Sequence, residues 1–245
     1  MRRSLLLLLF GIGLLQAQTP TEGTDPGDQS TVSGTVSLDD GTPAPSGIVS
    51  FYRTDPPPDP GAGSFVQHAP VTPKGTYVVQ LPPGVYRVCT QVWEVPGLDP
   101  CLWSEQAPTL TIPAQNTALP FPVKLLKGQF LHVRLDDSKG QVLAHGKAHP
   151  EHNLRIGVGT PVGFVDPGEL LATDASGVTY RAIYPLGQTP VLFVQHHGIG
   201  LADGAGKALA AEDWSNVSDR FSPVMHAHAD AQHPDLTLSI TGALP

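Results

Sequence analysis

The sequence predicts an all-β protein built from two tandem antiparallel β-sandwiches, and three observations predict it. Gly and Pro number 26 each in 245 residues, and they recur at intervals too short for long helices. Short stretches alternate apolar with polar residues, as in Val32, Val36 and Leu38 against Ser33, Thr35 and Ser37, which is the period of half-buried strands. The length divides more naturally into two domains of ~100 to 150 residues than into one.

The N-terminus is expected to be a secretory signal peptide over residues 1–18. Arg2 and Arg3 form a basic region ahead of the apolar run 5–15, and the small Ala17 offers a cleavage point. That run is shorter than the ~20 residues a membrane helix needs. No cysteine closely follows it, so a lipid anchor has no acceptor. The expected compartment is periplasmic or extracellular, with no membrane span after cleavage. Residues 19–30 (TPTEGTDPGDQS) are polar and turn-forming, and read as a flexible leader.

From Thr31 the strands begin. Residues 31–38 end at the turn Asp39-Asp40-Gly41, and residues 46–53 (SGIVSFYR) form a second strand. The proline-rich loop 55–63 (DPPPDPGAG) has few donors and no core of its own. Residues 64–70 and 76–81 flank the Pro73-Lys74-Gly75 turn, and Pro82-Pro83-Gly84 turns the chain into residues 85–92 (VYRVCTQV). Leu110, Ile112 and the run 118–126 supply closing strands. About seven short strands punctuated by turns within ~100 residues match an antiparallel sandwich.

The stretches VSGTVSLDDGTPAPSGIVSFYR and TPKGTYVVQLPPGVYRVCTQ resemble the carboxypeptidase regulatory-like domain, a transthyretin-like (prealbumin/Ig-like) sandwich frequent in secreted bacterial proteins. The resemblance covers roughly residues 31–126. It implies structural roles for Gly41 and Gly84 in turns and for Tyr77 and Tyr86 at the sandwich edge, and it leaves function open, because such sandwiches serve unrelated roles.

The second half, residues 127–245, repeats this pattern in weaker form. FLHVRLDD (130–137) echoes the region of Thr35 to Gly41, TDASGVTY (173–180) echoes Thr72 to Tyr77, and VLFVQ (191–195) takes the place of Tyr86 to Thr90. A short helix or turn is expected between Leu201 and Trp214, where Ala and Leu recur without alternation. The last strand is expected at 236–241 (LTLSIT).

The formal net charge is −8, which argues against a nucleic-acid partner. Charged residues are only 15% and hydrophobic residues 40% of the chain, so packed cores are expected. Cys89 and Cys101, the only two cysteines, are expected to form a disulfide in an oxidising compartment. A metal or redox pair would favour a CxxC spacing, which they lack.

No catalytic residues are identified. There is no GxSxG, SxxK or HExxH pattern, and the Asp39-Asp40 and Asp136-Asp137 pairs precede turn glycines, where turn chemistry accounts for them. Asn216-Val217-Ser218 matches a glycosylation acceptor by chance in a chain that reads as bacterial.

Two ligand classes are expected instead. Tyr52, Trp93 and Trp103 could present flat rings to a carbohydrate, with the disulfide holding the two tryptophans on one excursion. Eight of the 10 histidines cluster, and His226 with His228, two apart on a strand, could share a zinc ion with His196 or His197. The expected function is a non-enzymatic secreted structural or binding module contacting carbohydrate or a cell-envelope protein. The alternative is a metal-binding protein or metal-dependent hydrolase centred on the second domain.

Overall fold

The computed structural model describes residues 29–56, 65–140, 154–196, 199–209, 211–212, 224–228 and 235–243. The expected signal peptide and nearly all of the leader lie outside these. The first half carries β1 (Ser30–Leu38), β2 (Gly47–Arg53), β3 (Val66–Val71), β4 (Thr76–Leu81), β5 (Gly84–Val92), α1 (Pro100–Trp103), β6 (Thr109–Ile112), β7 (Ala118–Pro120) and β8 (Val123–Leu125). The second half carries β9 (Gly128–Asp136), β10 (Leu154–Gly159), β11 (Val165–Pro167), β12 (Glu169–Asp174), β13 (Gly177–Pro185), β14 (Val191–His196), β15 (Ile199–Ala202), β16 (Ala211–Glu212), β17 (Val224–His228) and β18 (Asp235–Ala243). The chain is all-β. Its helix α1 is a single turn, and no helix among the described residues is long and apolar enough to cross a membrane.

Among the described residues, four sheets form two packed pairs. In the first pair, β4-β1-β7 with β8 faces β3-β2-β5-β6. The alternation that suggested strands also fills the space between these sheets. Val32, Val36 and Leu38 of β1 meet Val49 and Phe51 of β2, Tyr77, Val79 and Leu81 of β4, and Tyr86 and Val88 of β5, all buried. Each such side chain removed from water contributes about 1.5–3 kcal/mol. In the second pair, β12-β13-β9-β18-β15 faces β11-β10-β14-β17-β16, around Leu131, Val133, Leu135, Ile156, Val178, Tyr180, Leu192 and Leu238.

Pairing is antiparallel except at one place in each unit. β1 runs parallel to β7 and β8, with Val36 opposite Val123 and Leu38 opposite Leu125. β9 runs parallel to β18, with Val133 opposite Leu236 and Leu135 opposite Leu238. The two units thus share a plan: the opening strand lies between an antiparallel neighbour, β4 or β13, and the parallel closing strand.

Tyr77 and Tyr86 are more deeply placed than the resemblance implies. Both are buried in the first core, and each hydroxyl donates to a backbone carbonyl, Tyr77 to Phe121 O at 2.6 Å and Tyr86 to Pro82 O at 2.8 Å. Gly34 explains the first bond. A Cβ there would collide with the Phe121 carbonyl, so only glycine lets the closing strand pass close enough for Tyr77 to reach it.

Of the short helix or turn expected between Leu201 and Trp214, the described residues show the turn. Residues there form β15 and a turn in which Asp203 Oδ1 accepts from the backbone N–H of Ala205 and Lys207, and Gly206 takes φ 81°. An aspartate that captures two backbone donors offers the chain a turn in place of a helical bond. Asp40 at the end of β1 captures one backbone donor in the same way, Thr42 N at 2.9 Å.

Candidate binding hollow at the seam

The seam between the two sheet pairs is organised by the excursion that follows β5. β6 pairs with β5 only over residues 84–87, so the next stretch of β5 is an open edge. Val88 N bonds to Pro108 O, and Thr90 N donates to Asp99 Oδ1 at 3.2 Å. Asp99 Oδ1 also accepts from Cys101 N at 2.9 Å, which caps α1, with Pro100 in its first turn. One buried carboxylate therefore covers a strand edge and starts a helical turn. The Cys89–Cys101 disulfide fastens that turn to the outer face of β5, with Cα atoms 5.2 Å apart.

The strapped turn ends in Trp103, whose side chain packs against the second core and whose Nε1–H donates to Asp166 Oδ2 at 2.6 Å. A second link runs the other way. Arg181 of β13 donates from Nη2 to the Trp93 carbonyl and to Glu169 Oε2, both at 2.6 Å, and its guanidinium lies over the Phe130 ring, 4.6 Å from the centroid.

Between these links lies a hollow of about 180 Å³, bordered by Gln91, Trp93, Asp99, Asp166, Glu169 and Arg181. Its volume is below the ~300 Å³ at which drug-sized pockets begin. The lining combines an aromatic ring 39% exposed with carboxylates, an amide and a guanidinium. Burial pushes the Asp166 carboxyl up to about 6, against the opposing pull of the Trp103 N–H, with the charge of Asp99 adding to the rise. Burial likewise pushes Asp99 up, partly offset by its two backbone donors.

The three aromatic candidates have different surroundings. Trp93 borders the seam hollow and Trp103 is engaged with Asp166. Tyr52 lines a separate hollow of about 280 Å³ on the outer face of β2 and β5, with the Arg87 guanidinium 5.7 Å from its ring centre. In that hollow Ser50 and His68 form a hydrogen-bonded cross-strand pair at 2.9 Å.

Cys89, Cys101 and Asp99 bring their ligand atoms within 4.8 Å of one another, but both sulfurs are committed to the disulfide. The histidines proposed for zinc stand elsewhere. In backbone register His226 is opposite Phe193 and His228 opposite Val191, and His196 ends β14. The side chains of His196, His226 and His228, and all of His197, lie outside the described residues.

Sequence reasoning missed Asp99, Asp166, Glu169 and Arg181. The Asp99-Pro100 pair was a readable start signal for a helical turn, whereas nothing local marks the other three, which the fold brings to the seam from β11, β12 and β13.

No family model matches the chain, and no curated protein matches it. Among solved structures, the shaft pilin SpaA from Lactobacillus rhamnosus GG is similar at 13% identity, over 89% of this chain and 100% of that one, with a TM-score of 0.32. The streptococcal ancillary pilin matches at 8% identity over 89% of this chain and 64% of that one, with a TM-score of 0.36. The Bacillus anthracis TIE protein matches at 14% identity over 70% of this chain, which spans 29% of its length, with a TM-score of 0.32.

Proposed function

We propose that this chain is a non-enzymatic, exported bacterial structural or binding protein of two tandem sandwich domains, residues 31–126 and 127–245, which contacts a neutral sugar of a cell-envelope glycan through the seam hollow. The observation that carries the reading is the lining itself: the half-open ring of Trp93 beside Gln91, Asp99, Asp166 and Glu169. An aromatic face suits the apolar side of a pyranose, and carboxylate and amide groups suit its hydroxyls as acceptors and donors. The small volume suits one sugar ring at a chain end better than a long groove-bound polymer. The disulfide supports export, because such bonds persist in oxidising compartments.

The test is a glycan array followed by titration of the hits while tryptophan emission is recorded. Saturable binding with a spectral shift that disappears in Trp93→Ala is the expected result. Binding unaffected by Trp93→Ala would place the glycan away from the seam hollow, and no binding across the array would leave a structural role, with envelope-protein capture as the next measurement.

A further inference from the structure

We infer that the disulfide-closed excursion from Trp93 to Ser104 is a strut that fixes the second sheet pair against the first, so that the seam hollow keeps its shape only while Cys89 and Cys101 are joined. The inference does not depend on which ligand, if any, the hollow takes.

Cys89 sits on β5, well inside a strand that also pairs along its length with β2. Its partner Cys101 lies in α1, two residues before Trp103. An isolated four-residue helical turn has no stability of its own. What holds this one is the disulfide at its middle and the Asp99 carboxylate at its start, and that carboxylate is itself bonded to β5 through Thr90 N. Both anchors are in the first unit. The free end of the turn carries the indole that enters the second unit, where it packs against the core and donates to Asp166.

The strut also returns to the first unit at its base. Leu98 N bonds to Leu126 O, and Gly128 N to Pro96 O, so the excursion grips the segment that joins the two sheet pairs. A Cβ at Gly128 would meet the Tyr184 carbonyl and the Leu98 side chain, which shows how closely excursion, joining segment and second unit are packed. The position of Trp103 is therefore set by β5 through the disulfide, and the position of the second unit at the seam is set by Trp103.

A structural disulfide alone would stabilise the first sandwich and leave the seam unaffected. The strut reading makes a separate claim: without the disulfide, the indole bond opens while both cores stay folded. The readout is hydrogen exchange at the Trp103 indole N–H in the full chain, with core amides of β1, β2, β9 and β13 as internal standards. In Cys89→Ser with Cys101→Ser, the indole proton is expected to exchange at least about tenfold faster while the core amides keep their protection. Unchanged indole exchange in that folded variant would overturn the inference.

If the double variant does not fold, Trp103→Ala with the disulfide intact supplies the second measurement. Small-angle scattering should then show a larger radius of gyration than the native chain, with the core amides still protected. An unchanged radius would show that Trp103 does not set the seam and would overturn the inference equally.

Discussion

The two sheet pairs close in the same register by different means. Aligning Val36-x-Leu38-Asp39-Asp40 with Val133-x-Leu135-Asp136-Asp137 places Leu131 where the first unit has Gly34. In the first unit the closing strand is broken at Phe121-Pro122 into β7 and β8, and the Phe121 carbonyl dips over Gly34 to accept from Tyr77. In the second unit Leu131 is fully buried in the core and β18 runs unbroken for nine residues. One inward position therefore decides whether the core is completed by a side chain or by a backbone bend and a tyrosine hydroxyl. The first solution needs a glycine and a hydrogen bond to be right, and the second needs only volume.

The largest effect that would sharpen this contrast is expected in the second unit. Leu131→Ala should cost about 2–5 kcal/mol, because truncating a fully buried leucine leaves a cavity, and thermal unfolding should show the loss in the second core. A loss shared equally by amides of both cores in hydrogen exchange would mean that the two units unfold as one. In the first unit, Gly34→Ala should cost about 1–3 kcal/mol by forcing the Phe121 carbonyl away. Denaturant titration would check this, and a neutral result would break the account of why β7 and β8 are separate.

A smaller effect concerns the seam that joins the two. Asp166 has its folded pKa raised to about 6, so the folded state binds a proton that the unfolded state releases until near its ordinary value of 3.8. Stability from this group therefore rises as pH falls through 6 toward 4, and Asp99, also raised by burial, acts in the same direction. Asp55 works in the opposite sense. Arg53 holds it down to about 2, and its contribution is present above the ordinary carboxylate range and lost as pH falls through the folded value. Melting temperature should rise between pH 7 and 5, and Asp166→Asn, which keeps an acceptor for Trp103, should flatten that rise. An unchanged slope in the variant would place the titration elsewhere.

The smallest expected effect tests the histidine asymmetry, since all but His68 fall after residue 127. On the non-enzymatic reading, a Zn²⁺ titration leaves the melting temperature unmoved. A saturable shift abolished by His226→Ala with His228→Ala would instead give the second unit a metal site and a different function.

How much of this was legible follows the range of the interactions involved. Strands announced themselves because alternation is local, as along β1, and so did the disulfide, because the chain has only two cysteines. The parallel closure was not readable, since nothing in Val123 or Leu236 states which strand they will meet. The deep placement of Tyr77 depends on a carbonyl 44 residues away. After Leu201 composition left helix and turn open, and a single aspartate, Asp203, able to satisfy two donors decides for the turn. The surroundings of the two tryptophans were not readable for a related reason: the Trp103 indole meets Asp166 and the Trp93 carbonyl meets Arg181, both far away in sequence.

The parallel pairing of opening and closing strands has a mechanical consequence. In each unit the strand that enters and the strand that leaves point the same way, so a pull on the chain at the two ends of a unit slides them lengthwise past each other. The backbone bonds between β9 and β18 are then loaded together, side by side, and not opened one after another like a zipper. The broken strand of the first unit divides that load between β7 and β8. Stretching single molecules should show the unit closed by β18 yielding at the higher force.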